Sequence, residues 1–263
     1  MTTTTTPLSI LGLGLWLQGY PSTRAWCGGT PDPAATKPLG LALDRVNRRR
    51  ASKLGRALAD VAAQAVAEAA VDPATIPTVI GSSIGEASTM ISLLDQMWRQ
   101  RVPMSPAGFT MSVHNAASGL ISITNGNRGF TTSIAADDDT PVGALLEAVG
   151  LVHTFGVPVV VACGDEEPPA DLVPPEMAYE LLAAAVVVAP ADHPGPVRAR
   201  LQLTHGGAAT VAPAVVPDAL ARNPQAGLLD LVAAVLGGQS GSVRLNRRSE
   251  AGWCAEIDAC EEP

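Results

Sequence analysis

The sequence is poor in positive charge, in aromatic residues, in cysteine and in long apolar runs. Against 25 Asp and Glu stand 17 Lys and Arg, a formal net charge of −8. A chain of that sign repels phosphate backbones, which argues against nucleic-acid binding and against general adhesion to anionic membranes. Aromatics make up 3% of the residues, too few for a base-stacking platform or an aromatic sugar cleft. The four cysteines, Cys27, Cys163, Cys254 and Cys260, show no C-x-x-C spacing. They offer neither a zinc pattern nor a disulfide framework, and read as reduced thiols of a cytoplasmic protein. The stretch Leu8 to Leu17 is apolar, but it is too short to span a bilayer and no Lys or Arg precedes it. It reads as a first buried strand, with no membrane insertion expected anywhere in the chain.

What is present is apolar bulk and turn residues. Of 263 residues, 47% are hydrophobic and 16% charged, enough for one sizeable core or for a core and a tail. After a Pro- and Gly-rich loop over 20–40, Leu54, Leu58, Val61 and Ala65 recur at helical spacing in an Ala-rich segment. A short strand at Thr78–Ile80 and the turn Gly81-Ser82-Ser83-Ile84-Gly85 lead to a helix over about 86–101, with Met90, Leu94 and Met97 on one face. A further helix to about Thr124 and a β-rich stretch from Thr131 to Ala136 follow. Asp139 or Thr140 would cap the next helix, Pro141 suits its first position and Gly156 stops it. The unbroken run Val157 to Cys163 predicts a central strand; others are expected at Ala184–Ala189 and Val197–Thr204, and a helix near 218–236. From Gly237 the pattern predicts a loosely held tail. Alternating buried strands and helices give an α/β chain, divided as 1–205 and an extension over 206–263.

Four groups of residues could carry chemistry. Gly81-Ser82-Ser83-Ile84-Gly85 has the G-x-S-x-G form between a strand and a helix, so Ser83 could be a nucleophile, with Asp165 and His193 or His205 in the required order. The more ordinary reading of the same turn is small residues whose hydroxyls cap the following helix. Gly12 and Gly14 lack the third glycine and the acidic residue of a dinucleotide site. Asp137, Asp138 and Asp139 suit a helix N-terminus, and consecutive carboxylates diverge too much for a metal site, so no metal is expected. Arg45, Arg49, Lys53 and Arg56 fall on one helical stripe, either a solvated face or a docking surface for an acidic partner.

Several segments together resemble the N-terminal half of a β-ketoacyl synthase. They are Arg48-Arg49-Arg50-Ala51-Ser52, Gly81 to Glu86, Ser105-Pro106 with Phe109, the stretch Ser112-Val113-His114-Asn115-Ala116-Ala117-Ser118-Gly119, Asn127-Arg128-Gly129 and Ser133-Ile134-Ala135-Ala136. The resemblance is nearest to the short, chain-length-factor-like subfamily of aryl polyene pathways and covers roughly 8–205. It implies a truncated thiolase-like fold, a mixed sheet packed with helices. It also implies pairing with a catalytic ketosynthase in fatty-acid-like or polyene synthesis on acyl carrier protein, without a cofactor. In a working synthase a Cys stands at the start of the buried helix after this strand, where the helix N-terminus favours thiolate. Here the turn is Asp137-Asp138-Asp139, and a carboxylate is a poor acyl acceptor, so no catalytic residue is expected. The remaining length is short for a second half carrying the two catalytic histidines. The resemblance further implies a dimer edge at Thr131, Thr132, Ser133, Ile134 and Ala135, and carrier-protein docking on Arg45, Arg49, Lys53 and Arg56. An independent serine acyltransferase or hydrolase using Ser83 is the alternative.

Overall fold

A computed structural model describes residues 3–260. The fold is built on one mixed sheet whose strands are β1 (Thr3–Thr4), β2 (Leu8–Leu17), β3 (Thr78–Gly81), β4 (Thr131–Ile134), β5 (Val159–Asp165), β6 (Leu182–Pro190), β7 (Ala199–His205), β8 (Gly241–Arg244) and β9 (Trp253–Ala259). Their order is β4-β3-β5-β6-β2-β7-β9-β8, with β1 beside β7. β3 runs parallel to β4 and β5, whereas β6 is antiparallel to both β5 and β2. The continuous apolar runs of β2, β5 and β6 are explained by this placement: each lies inside the sheet with both faces covered, so neither face needs polar residues.

The helices are α1 (Thr23–Cys27), α2 (Arg45–Arg50), α3 (Lys53–Glu68), α4 (Ala87–Trp98), α5 (Pro106–Thr110), α6 (Ala116–Asn125), α7 (Thr140–Phe155), α8 (Asp218–Ala221) and α9 (Ala226–Leu236). They form two layers. On one face α3 and α6 pack against Leu11, Trp16, Val160, Ala162, Ala183 and Val187. On the other, α7 and α9 pack against residues of the same strands that point the opposite way, among them Leu13, Leu15, Val161 and Val186, the alternation of β2 being interrupted at Leu11 where its register with β6 shifts. The approach of α3 to β2 accounts for Gly12 and Gly14. A Cβ at either would overlap the Ala65 or Val61 carbonyl oxygen, so these glycines serve backbone packing.

The structure departs from the expectations in several places, three of them bearing on the fold. The stripe Arg45, Arg49, Lys53, Arg56 is not on one helix: Ala51 is extended (ψ 136°), and Ser52 caps a new helix by accepting the Gly55 amide at 2.8 Å. The loop over 20–40 contains α1, capped by Ser22. The tail is not loose. Gly237 and Gly238 only end α9, and Val243, Leu245, Cys254, Ala255 and Ile257 are buried beyond them. β9 pairs with β7 from Ala199 to His205, so residue 205 marks no edge of the sheet; residues 261–263 of the expected tail lie outside the described residues. Among the described residues, no helix is long and apolar enough to cross a membrane.

Candidate functional site

The strand β4 delivers the chain into the turn Asp137–Asp139 at the start of α7. Asp137 has φ +46°, a left-handed conformation that a non-glycine residue adopts at a cost of about 1–3 kcal/mol. Two hydroxyls hold it there. Ser83 Oγ donates to the Asp137 carbonyl at 2.6 Å and Thr140 Oγ1 donates to the same oxygen at 2.7 Å, while Thr140 Oγ1 accepts from the Ala136 amide. The turn therefore has the sharp strand-to-helix form that lifts a side chain away from the sheet, and the lifted side chain is an exposed carboxylate.

The next two carboxylates are anchored from the far end of the chain. Asp138 Oδ2 accepts from Arg248 Nη1 at 3.2 Å, and Asp139 Oδ1 accepts from Asn246 Nδ2 at 2.9 Å. Burial pushes the Asp138 carboxyl above its ordinary range, and the Arg248 guanidinium opposes that rise. Neither expected capping side chain bonds the free amides of α7, because Thr140 turns back into the bend and Asp139 is taken by Asn246. Among the described residues, no three His, Cys, Asp or Glu side chains gather as they would around a metal.

Beneath the turn lies Asp165, fully buried at the end of β5. Its Oδ1 accepts from Ser82 Oγ at 2.6 Å and from the Ile84 amide at 3.2 Å; its Oδ2 accepts from the Ser83 amide at 2.9 Å and from Gln225 Nε2 at 2.6 Å. Burial raises this carboxyl and the four donors counter it. Asp165 thus ties the β3–α4 turn to the segment before α9, and this use excludes its role as the acid of a triad. Ser83 donates to a backbone carbonyl rather than to a histidine. His205 stacks edge-on against Trp253, and His193 sits in the bend after β6, beside Gly195. The Ser83–Asp165–His arrangement is not assembled. Cys163 packs against Gly81, fully buried, and burial raises its thiol far from the thiolate range.

Among the described residues β4 is the last strand of the sheet and pairs only with β3. The strand is two residues shorter than expected, ending at Ile134, with Ala135 exposed beyond it. Thr131 and Ser133 lean on α6 through the Ser122 and Ser118 hydroxyls at 3.4 and 3.1 Å. Phe130 just before β4 and Ile123 on α6, which packs on β4, are exposed, as are Met90, Leu94, Met97 and Trp98 of α4, Phe109 and Val113. The helical spacing of Met90, Leu94 and Met97 is real, but their face meets solvent instead of the core. Of the basic residues, Arg45, Arg49 and Lys53 are exposed, whereas Arg56 is half-buried and donates through Nε to the Arg48 carbonyl at 3.2 Å.

Arg248, Asn246, Gln225 and Asn223, whose Nδ2 donates to the Asp165 carbonyl at 3.0 Å, are site residues that the sequence pattern did not single out. The alternation Ser242-Val243-Arg244-Leu245 just before Asn246 could have placed Asn246 and Arg248 on structured chain, whereas Asn223 and Gln225 fall in the expected 218–236 helix, at the break between α8 and α9.

The model of the β-ketoacyl synthase N-terminal domain matches residues 23–254. The chain belongs to that family. No curated protein sequence matches it significantly. Among solved structures, a ketosynthase (ApeO) in complex with its chain length factor (ApeC) from Xenorhabdus doucetiae is similar at TM-score 0.69 and 21% identity, covering 95% of this chain and 99% of the matched one. The ishigamide ketosynthase/chain length factor gives TM-score 0.70 at 14% identity, covering 97% and 100%. A type II PKS acyl-carrier protein in complex with its ketosynthase, AntDE:AntF, gives 0.69 at 11%, covering 97% and 100%. At these identities the likeness is one of fold: this β-ketoacyl synthase N-terminal domain has the thiolase-like α/β architecture, and its mixed sheet carries helices on both faces.

Proposed function

We propose that the chain is a non-elongating, chain-length-factor-like subunit that pairs with a catalytic ketosynthase and helps to shape the acyl site during fatty-acid-like or polyene synthesis on acyl carrier protein. The observation that carries the reading is Asp137, a carboxylate held in the strained left-handed turn where the family resemblance calls for a Cys nucleophile. The bare β4 edge, with Phe130 exposed just before it and Ile123 exposed on the neighbouring α6, supports a heterodimer through Thr131 to Ala135, because an unpaired edge invites pairing. Structures of similar fold come from ketosynthase–chain length factor complexes, which agrees with that reading.

The test is co-purification and elongation. The isolated chain is expected to incorporate no malonyl units above a no-protein blank, and to co-purify with its cognate ketosynthase. Ser133→Pro removes a main-chain donor from the edge strand and is expected to cut the co-purified yield at least several-fold, in a variant shown to be folded by circular dichroism. Elongation by the isolated chain, or an undiminished yield from the folded variant, would overturn the assignment.

A second expectation concerns carrier-protein docking. Arg45, Arg49 and Lys53 are exposed cations on an acidic chain, suited to an acidic helix. Arg56 belongs to this group in sequence only, since its guanidinium braces α2. Reversing Arg49 and Lys53 to Glu should slow carrier-protein turnover by the assembled complex roughly tenfold at low salt, and much less at high salt. Equal rates at low salt would reduce the patch to a solvated surface.

A further inference from the structure

One side of α3 is built largely from alanine. Ala59, Ala62, Ala63 and Ala67 recur there at helical spacing, with Val66 among them. An alanine side chain ends at Cβ, so this row leaves a pocket of about 290 Å³ between α3, α6 and the 71–78 segment. Its floor is buried and apolar, with Leu43, Ile76, Ile121 and Val160 all withdrawn from solvent. Ala63, Ala67, Pro73 and Asn125 are exposed and mark its mouth. Protein interiors ordinarily hold few voids larger than a water molecule, so an apolar pocket of this size is an exception.

Hydrogen bonds hold the walls in place without a ligand. Asp60 accepts the Gly40 amide at 2.8 Å and the Ala42 amide at 3.1 Å, which fixes the chain leading to Leu43. Asn127 Nδ2 donates to the Pro73 and Ile76 carbonyls at 2.9 Å each, and the Arg128 amide donates to the Ala74 carbonyl at 2.9 Å, which fixes the opposite wall. A pocket shaped beforehand costs its ligand little ordering. Among the described residues, its lining has no Asp, Glu, Lys, Arg or His. The polar groups of Thr78 and Asn127 are spent on the main chain, Thr78 Oγ1 donating to the Ile76 carbonyl at 3.3 Å and Asn127 Oδ1 accepting the Gly129 amide at 2.6 Å. The inner part therefore offers a ligand apolar surface, and the exposed Asn125 supplies an amide at the mouth.

We propose that this pocket binds the alkyl chain of one small uncharged amphiphile. An apolar cavity of about 150 Å³ takes up benzene, and this pocket, near twice that size, has room for about eight carbons. The neutral head group lies at the mouth beside Asn125. A sugar or a multiply charged ligand would leave its polar groups unpaired against alanine and valine. The pocket is separate from the Asp137 turn. Thr78 and Val160 pair near the start of the parallel strands β3 and β5, whereas the turn follows the far end of β4, where Ile134 pairs with Gly81. It also lies on the α3–α6 face of the sheet, opposite α7. The site stands independently of the subunit role proposed above.

Isothermal titration of the full chain with straight-chain alcohols tests this. 1-Octanol is expected to bind as one equivalent with a Kd below about 1 mM. Affinity should rise about fourfold per added methylene from butanol to octanol and level off at decanol, when the chain outgrows the pocket. Ala62→Leu fills the buried floor and should weaken octanol binding at least about tenfold. Ala63→Leu stands at the exposed mouth, where it leaves the core intact, and should weaken binding several-fold. Circular dichroism establishes that both variants are folded. In the wild type, octanol should shift the methyl resonances of Ile76 and Ile121, which line the pocket, and leave that of Ile134 before the Asp137 turn in place. An absence of saturable binding, several equivalents bound, affinity that keeps climbing at decanol, shifts at Ile134 instead of Ile76 and Ile121, or undiminished binding by the folded variants would each overturn the proposal.

Discussion

A chain ending at Gly237 is expected to be insoluble or to lack a cooperative unfolding transition. Such a truncation removes β8 and β9. Val243, Leu245 and Ile257 are lost from the core, and burial of such side chains contributes about 1.5–3 kcal/mol each. That loss alone is comparable with the whole stability of an ordinary domain, about 5–15 kcal/mol. The truncation also strips the partner from β7 along seven residues and leaves the apolar underside of α9 bare. Asp230, buried on α9, would lose the Arg247 guanidinium that pairs with it at 2.5 Å, and burial already pushes that carboxyl upward. Removing one partner of a buried pair costs about 3–5 kcal/mol. Thermal circular dichroism of the full and truncated chains decides the matter: a soluble truncation with an unchanged melt would contradict the sheet described above.

Asp165→Ala is expected to be the most damaging single substitution near the turn, lowering stability in urea by about 3–5 kcal/mol. The variant would leave Ser82 Oγ, two main-chain amides and Gln225 Nε2 without their acceptor in a fully buried site. Its effect should extend to the Asp137 bend, since Ser83 holds that bend and Asp165 holds the Ser83 amide. Asp165→Asn keeps one acceptor oxygen but turns an amide toward donors, and should fall between wild type and Ala. A loss under about 1 kcal/mol in Asp165→Ala would mean that the donors find other partners and that the carboxylate is not the hub.

How far the sequence revealed these features depends on the range of the interactions. β2, β5 and β6 were legible because a strand covered on both faces is apolar without interruption. Gly156 was legible for a local reason as well: its φ of +66° ends α7 at the expected place. β8 and β9 were hidden by the Gly, Ser and Arg residues around them, which mask two short alternating patterns. The spacing of Met90, Leu94 and Met97 announced an amphipathic helix, but periodicity cannot say whether anything covers the apolar side. The helix over 44–56 failed at Ser52, whose hydroxyl starts a new helix where charge spacing suggested continuity. At the site, the run Asp137–Asp139 was visible as three like charges. Its partners Asn246 and Arg248 lie more than 100 residues away and were invisible. Asp165 was noticed for the wrong reason, because chain order alone cannot distinguish a carboxylate facing a histidine from one facing four donors.

The position of β2 has a consequence for how the chain is made. Its ten residues, apolar but for Ser9, are made well before their partners Leu182–Pro190 and Ala199–Leu201, which come more than 160 residues later. At about 5–20 residues per second, that interval lasts roughly 10–30 s. During it, Leu8 to Leu17 is an unpaired, uncharged, β-prone segment of the kind that associates with other nascent chains. α3 can shield one side once it forms, since Gly12 and Gly14 admit it closely, but the edges stay open until β6 arrives. Biosynthesis of this fold therefore carries a built-in delay, and the yield of native protein should depend more on chaperone supply and translation speed than on the stability of the finished sheet.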